Sequence, residues 1–144
     1  MKATDLARFT EAQSRNYQDA LDEIKNGRKR THWMWYIFPQ IQGLGLSETA
    51  RFYALKDTRE AAAYIAHPVL GPRLLEISKA LLDLPSNNAQ AILGSPDDLK
   101  LRSSMTLFAA LPGADPVFEQ VLDKFYRGAH DEQTIRILTS QANS

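Results

Sequence analysis

The chain has no cysteine. That removes disulfides, thiolate nucleophiles, cysteine-ligated zinc, iron–sulfur clusters and thiol redox switching. It has no surplus of charge either, with 17 lysines and arginines against 17 aspartates and glutamates. A dedicated nucleic-acid binder normally needs a basic excess to neutralise phosphates, so that class is disfavoured. No stretch approaches the roughly 20 apolar residues of a bilayer-spanning helix, and Lys2 and Asp5 interrupt any secretory leader at the start. A cytoplasmic location is expected. The chain lacks a Gly-rich phosphate loop and a Gly-x-Ser-x-Gly elbow, and its three histidines show no metal-ligand spacing. Nothing in the residues asks for a metal or a cofactor.

What is present is an ordinary globular composition, 44% hydrophobic and 24% charged over 144 residues. Such a chain can bury a core without covalent or metal staples. With no repeat and no linker, residues 1–144 read as one domain, with 139–144 as a polar tail prone to fray.

Helical periodicity dominates. Over 5–26, Leu6, Phe9, Gln13, Tyr17, Ala20, Leu21 and Ile24 share one face, with Thr4 as cap and Gly27 as stop. Ser47 opens a second helix running through Phe52 towards Leu55, and Asp57 with Glu60 forms a capping box for a third that His67-Pro68 ends. Pro72 suits the first position of a fourth, whose apolar seam is Leu70, Leu74, Ile77, Leu81 and Leu84. A short helix is expected over 89–93. Ser95-Pro96-Asp97-Asp98 starts another with Leu101, Met105 and Phe108 inward. Asp115-Pro116 starts one that ends at Gly128, and 131–138 is the last. Only 33–38 has the aromatic and β-branched character of an extended segment, which Pro39 ends. The fold class is therefore all-α, a single compact domain of about six to eight helices with one extended aromatic segment.

Residues 28–40, Arg-Lys-Arg-Thr-His-Trp-Met-Trp-Tyr-Ile-Phe-Pro-Gln, hold both tryptophans beside a basic triplet and a histidine. A cation such as Lys29 is favoured at a helix C-terminus without any function, and aromatic residues commonly fill cores. If the segment is extended, Trp33, Trp35 and Ile37 face one way, with His32, Met34, Tyr36 and Phe38 opposite. One face then meets the core while the other sets an aromatic or imidazole ring beside Arg28 and Arg30. Guanidinium next to an aromatic face suits a planar anion. His32 is the natural acid or base of the group.

The second polar stretch covers 95–104. Ser95 with Asp98 forms a capping box, and Asp98 with Arg102 an (i, i+4) pair. Asp97, Lys100 and Ser104 are left on one stripe, able to orient a phosphate or a sugar hydroxyl, or to be a solvated face. His67 and His130 carry no separate signal, and Gly43 with Gly45 shapes a turn.

The ordered blocks Arg28-Lys29, 32–40 (HWMWYIFPQ), Gly43-Leu44-Gly45, 67–71 (HPVLG) and 94–108 (GSPDDLKLRSSMTLF) resemble the signature of domain of unknown function 1810. The resemblance spans nearly the whole chain. It implies a small, cytosolic, mostly helical protein of a kind found in bacteria and fungi, and it supplies no reaction. It also implies that the polar members of the two blocks, His32 and Gln40 with Asp97, Lys100, Arg102 and Ser104, belong to a site.

Three functions follow as expectations. The first is a pocket for a small anionic, nucleotide-like or phosphorylated ligand. Trp33 or Trp35 would stack on it, Arg28, Lys100 and Arg102 would neutralise charge, and Gln40 and Ser104 would complete the site. His32 with Asp97 would be the proton-transfer pair if a group is hydrolysed or transferred. The second is a protein-interaction module built on the 28–40 segment. The third is weak nucleic-acid binding through 25–30.

Overall fold

The computed structural model describes residues 6–143. Among these, nine helices occur in order: α1 (Ala7–Lys25), α2 (Met34–Ile37), α3 (Glu48–Tyr53), α4 (Thr58–Ala66), α5 (Leu70–Leu82), α6 (Ala89–Leu93), α7 (Asp97–Ala109), α8 (Pro116–Tyr126) and α9 (Glu132–Ala142). The all-α expectation holds. The expected cap at Thr4 lies outside the described residues.

Helix starts follow the side chains that cap them. Ser47 accepts from Ala50 N, Asp57 from Glu60 N, Asp115 from Val117 N and Asp131 from Thr134 N, each supplying an acceptor to an N–H with no partner inside the helix. α5 starts two residues before Pro72 because its cap comes from further upstream. His67 Nδ1 accepts from Val69 N and Leu70 N at 3.1 and 3.2 Å, and a proline in the first turn removes only an N–H that would be free anyway. At the other end of α5, Lys124 Nζ donates to the carbonyls of Leu81, Leu82 and Leu84. α9 continues four residues past Leu138, and Gln141 Nε2 donates to Lys56 O at 3.0 Å.

Two local expectations are corrected. Ser95 does not cap α7: Gly94 O accepts from Asp98 N at 2.9 Å and Pro96 O from Leu99 N and Lys100 N, so backbone carbonyls meet the need that the hydroxyl was to fill. Residues 33–38 are not extended. Met34–Ile37 form one helical turn, with Ile37 N donating to Trp33 O and Phe38 N to Met34 O. A short aromatic run fits either period, and the turn lets Trp33, Met34, Tyr36, Ile37 and Phe38 all enter the core. The buried Gln13 then donates to the Tyr36 carbonyl at 2.7 Å and to Tyr64 Oη at 2.9 Å. Burial of Tyr64 pushes its hydroxyl pKa well up.

α7 packs against α8, α6, α9 and α4, while α1 packs against α5 and α2. α7 is buried on most sides from Leu101 to Phe108, Arg102 excepted, and its first turn reaches the surface. That turn carries Asp97 and Lys100.

Candidate functional site

α1 ends in a paired turn: Gly27 N donates to Ile24 O and Arg28 N to Glu23 O, with Gly27 at φ +78°. The left-handed glycine reverses the chain so that 28–33 folds back over the end of α1. Glu23 meets it there. Its Oε1 accepts from Arg30 N (2.7 Å), Thr31 N (3.0 Å) and Trp33 Nε1 (2.9 Å), and its Oε2 from Thr31 Oγ1 (2.7 Å). Partial burial alone would raise the Glu23 pKa, but these hydrogen bonds override it and hold the carboxyl down at about 2.

A carboxyl depressed in the folded state stabilises the fold above its unfolded value and loses that contribution on acidification. For Glu23 the loss runs as pH falls from 4.5 to about 2, on the order of 1–2 kcal/mol once solvent screening is allowed for. Urea unfolding of the protein and of Glu23→Gln at stepped pH checks this. The stability gap between them is expected to narrow across that window, and a constant gap would contradict the assignment.

Lys29 N donates to Ile92 O at 2.7 Å, which ties the segment to α6. Its ammonium reaches Asp97 Oδ2 at 3.0 Å, and Lys100 Nζ lies 3.6 Å from the other oxygen, Oδ1. The Lys29 side chain is 8% exposed, Asp97 19% and Lys100 25%. Lys29 Nζ also sits 5.2 Å from the Trp33 ring centroid and Lys100 Nζ 5.0 Å from that of Trp35, both within cation–π range. Residues 28–40 and 95–104 therefore meet. Their junction is two ammoniums sharing one carboxylate, with the partly buried Trp35 alongside.

The other expected site residues are placed differently. Trp33 is fully buried, with its N–H given to Glu23, so it has no free face for stacking. Arg102 turns away: instead of pairing with Asp98, it donates to Ala129 O and His130 O, both at 2.9 Å, and lies over Tyr126. Arg28 and His32 are exposed, and among the described residues neither side chain has a hydrogen-bond or ion-pair partner. The Asp97 carboxylate is held by lysines rather than by His32. Gln40 is half-buried and its backbone carbonyl accepts from Leu55 N. Ser104 lies one helical turn inward from Lys100, with no exposure and no partner for its hydroxyl. Ser103 and Thr106 on the same helix bond back to the carbonyls of Leu99 and Arg102.

Sequence reasoning missed Lys29, whose position at a helix end already explained a cation. It also missed Glu23, whose partners lie seven to ten residues away in an irregular segment that no periodicity describes. The cavities lie elsewhere. A polar cleft of about 440 Å³ is lined by Asn87, Gln90, Asp98 and Arg127, and an apolar one of about 500 Å³ by Ile65, Leu75, Phe108 and Phe118. Among the described residues no three His, Asp or Glu side chains are placed to hold a metal ion, and no helix is long and apolar enough to cross a membrane.

The family model for DUF1810, described as a protein of unknown function, matches residues 3–138. The chain belongs to that family. This DUF1810 chain is 44% identical to the conserved hypothetical protein Rv1873 from Mycobacterium tuberculosis, whose crystal structure superposes with a TM-score of 0.92 over 94% of this chain and 96% of that one. No curated protein matches this DUF1810 chain.

Proposed function

We propose that this DUF1810 protein binds a small anion, a phosphorylated or nucleotide-like compound, where the first turn of α7 meets the segment after α1. The observation that carries the reading is the shared carboxylate. Lys29 and Lys100 both pair with Asp97, and among the described residues neither pairs with another acid, so within this cluster two ammoniums share one carboxylate. A partly buried excess charge attracts a counter-ion more strongly than an exposed one. Lys100 has the longer contact and the greater exposure, so it is the ammonium that turns to the ligand while Lys29 stays with Asp97. Trp35 offers a flat apolar wall for a planar portion, and Arg28 and His32 stand exposed on the same segment.

The reading is of binding, not of catalysis, because the carboxylate expected to work with His32 is taken by two lysines. The protein-docking reading has less support: five of the six residues from Trp33 to Phe38 are buried, which removes them from any docking face. Nucleic-acid binding through 25–30 loses Lys29 to Asp97.

Titration with pyrophosphate and with adenosine monophosphate, followed by tryptophan fluorescence and thermal shift, tests the proposal. At least one is expected to raise the melting temperature, with an affinity that weakens as salt screens the charges. Lys100→Ala is expected to bind about tenfold more weakly, the worth of one charged hydrogen bond. Silence from both ligands, or equal affinity in Lys100→Ala, overturns it.

A further inference from the structure

We infer that Glu23 is the positioning residue of this site: its carboxylate, by reach rather than by charge, folds residues 28–33 so that Lys29 arrives at Asp97. The inference rests on the anion-binding reading for its functional meaning, but the geometry stands by itself. Glu23 lies on α1 and touches neither Asp97 nor Lys100 through any hydrogen bond or ion pair among the described residues. Its two oxygens take up four donors from three residues, the backbone N–H of Arg30 and Thr31, the Thr31 hydroxyl and the Trp33 indole N–H. All four donors are neutral groups. Lys29 is enclosed by these anchors: Arg28 N is held by Glu23 O before it, Arg30 N by Glu23 Oε1 after it, and its own N by Ile92 O. With the backbone pinned on both sides, the direction in which the Lys29 side chain leaves it is set. That direction leads along the Trp33 ring to Asp97 Oδ2. Without the clasp the segment keeps a single glycine-directed turn and the bond to Ile92, and Lys29 has no reason to prefer Asp97 over water.

Three of the four hydrogen bonds converge on Oε1, which separates reach from charge experimentally. Glu23→Gln keeps an oxygen at that position and puts an amide where Oε2 was. That amide donates to the Thr31 hydroxyl, whose own hydrogen turns away. Glu23→Asp keeps the charge and withdraws the carboxylate by one methylene, out of reach of donors on residues 30, 31 and 33. Both side chains are compatible with a helical backbone.

The experiment measures pyrophosphate affinity and the hydrogen-exchange rate of the Trp33 indole N–H in the wild type and both variants. Glu23→Gln is expected to bind within about threefold of the wild type, and Glu23→Asp about tenfold more weakly, the size of one lost charged hydrogen bond. The indole N–H is expected to exchange faster in Glu23→Asp than in Glu23→Gln. Glu23→Asp binding as tightly as Glu23→Gln, or tighter, overturns the positioning role. A wild type that ignores both pyrophosphate and adenosine monophosphate overturns the anion reading alone. The order of the indole exchange rates then decides the clasp, and equal rates overturn it.

Discussion

Gly71→Ala is expected to destabilise the protein by about 3 kcal/mol or more, lowering its melting temperature by roughly 10 °C. Gly71 sits in the first turn of α5, where its N–H donates to His67 O. A Cβ at this position would lie 2.0 Å from Ile65 O and 3.0 Å from Ile65 C. Both atoms are backbone of the last turn of α4, so no side-chain rotation relieves the overlap. The helices would have to part by more than 1 Å, on the order of a carbon–oxygen contact distance less the distance available. Tyr64, Leu70 and Leu74, all buried along these two helices, would lose contacts together. Gly27→Ala makes the control: Gly27 has φ +78° and nothing within 4 Å of an added Cβ, so only the left-handed backbone penalty of about 1 kcal/mol applies. Thermal unfolding of both variants measures the difference. Equal losses would mean that α4 and α5 do not approach as closely as described.

Trp33→Ala is expected to cost about 3–5 kcal/mol, the range for emptying a large aromatic site. The indole is among the largest fully buried side chains, packs 6.3 Å centroid to centroid from Phe38, and gives its N–H to Glu23. Truncation therefore opens a cavity and strips one donor from a carboxylate that uses four. Trp33→Phe separates the two effects. It keeps most of the apolar volume and loses the hydrogen bond, so about 1–2 kcal/mol is expected. Urea unfolding with a constant m-value would read both, and Trp35 remains as the fluorescent reporter. A loss below about 1.5 kcal/mol for the alanine variant would remove Trp33 from the core.

The readings that held are those whose cause is local. Ser47, Asp57, Asp115 and Asp131 each cap the helix that follows, because a cap involves residues within three positions. Where another group competes for the same role, the same rules misdirect. Ser95 looks like a cap until the neighbouring Gly94 O supplies the acceptor, and Arg102 looks like the partner of Asp98 until the carbonyls of Ala129 and His130, far along the chain, take it. The aromatic run 33–38 carries too few residues to choose between periods, and Gln13 on α1 helps to decide the matter by donating to the Tyr36 carbonyl. At the candidate site, Asp97 and Lys100 from one polar stretch meet Trp35 from the other. Lys29 and Glu23 were hidden because a helix-end cation and a surface glutamate each have an ordinary explanation.

His67 brings one more consequence. The ring nitrogen that receives the amide hydrogens of Val69 and Leu70 does so through its lone pair, so it carries no hydrogen of its own. In the neutral imidazole the single hydrogen must then lie on Nε2. The start of α5 thereby selects one tautomer of a side chain three residues upstream, and a ring that usually exchanges between two forms is fixed in one by the peptide bonds it caps.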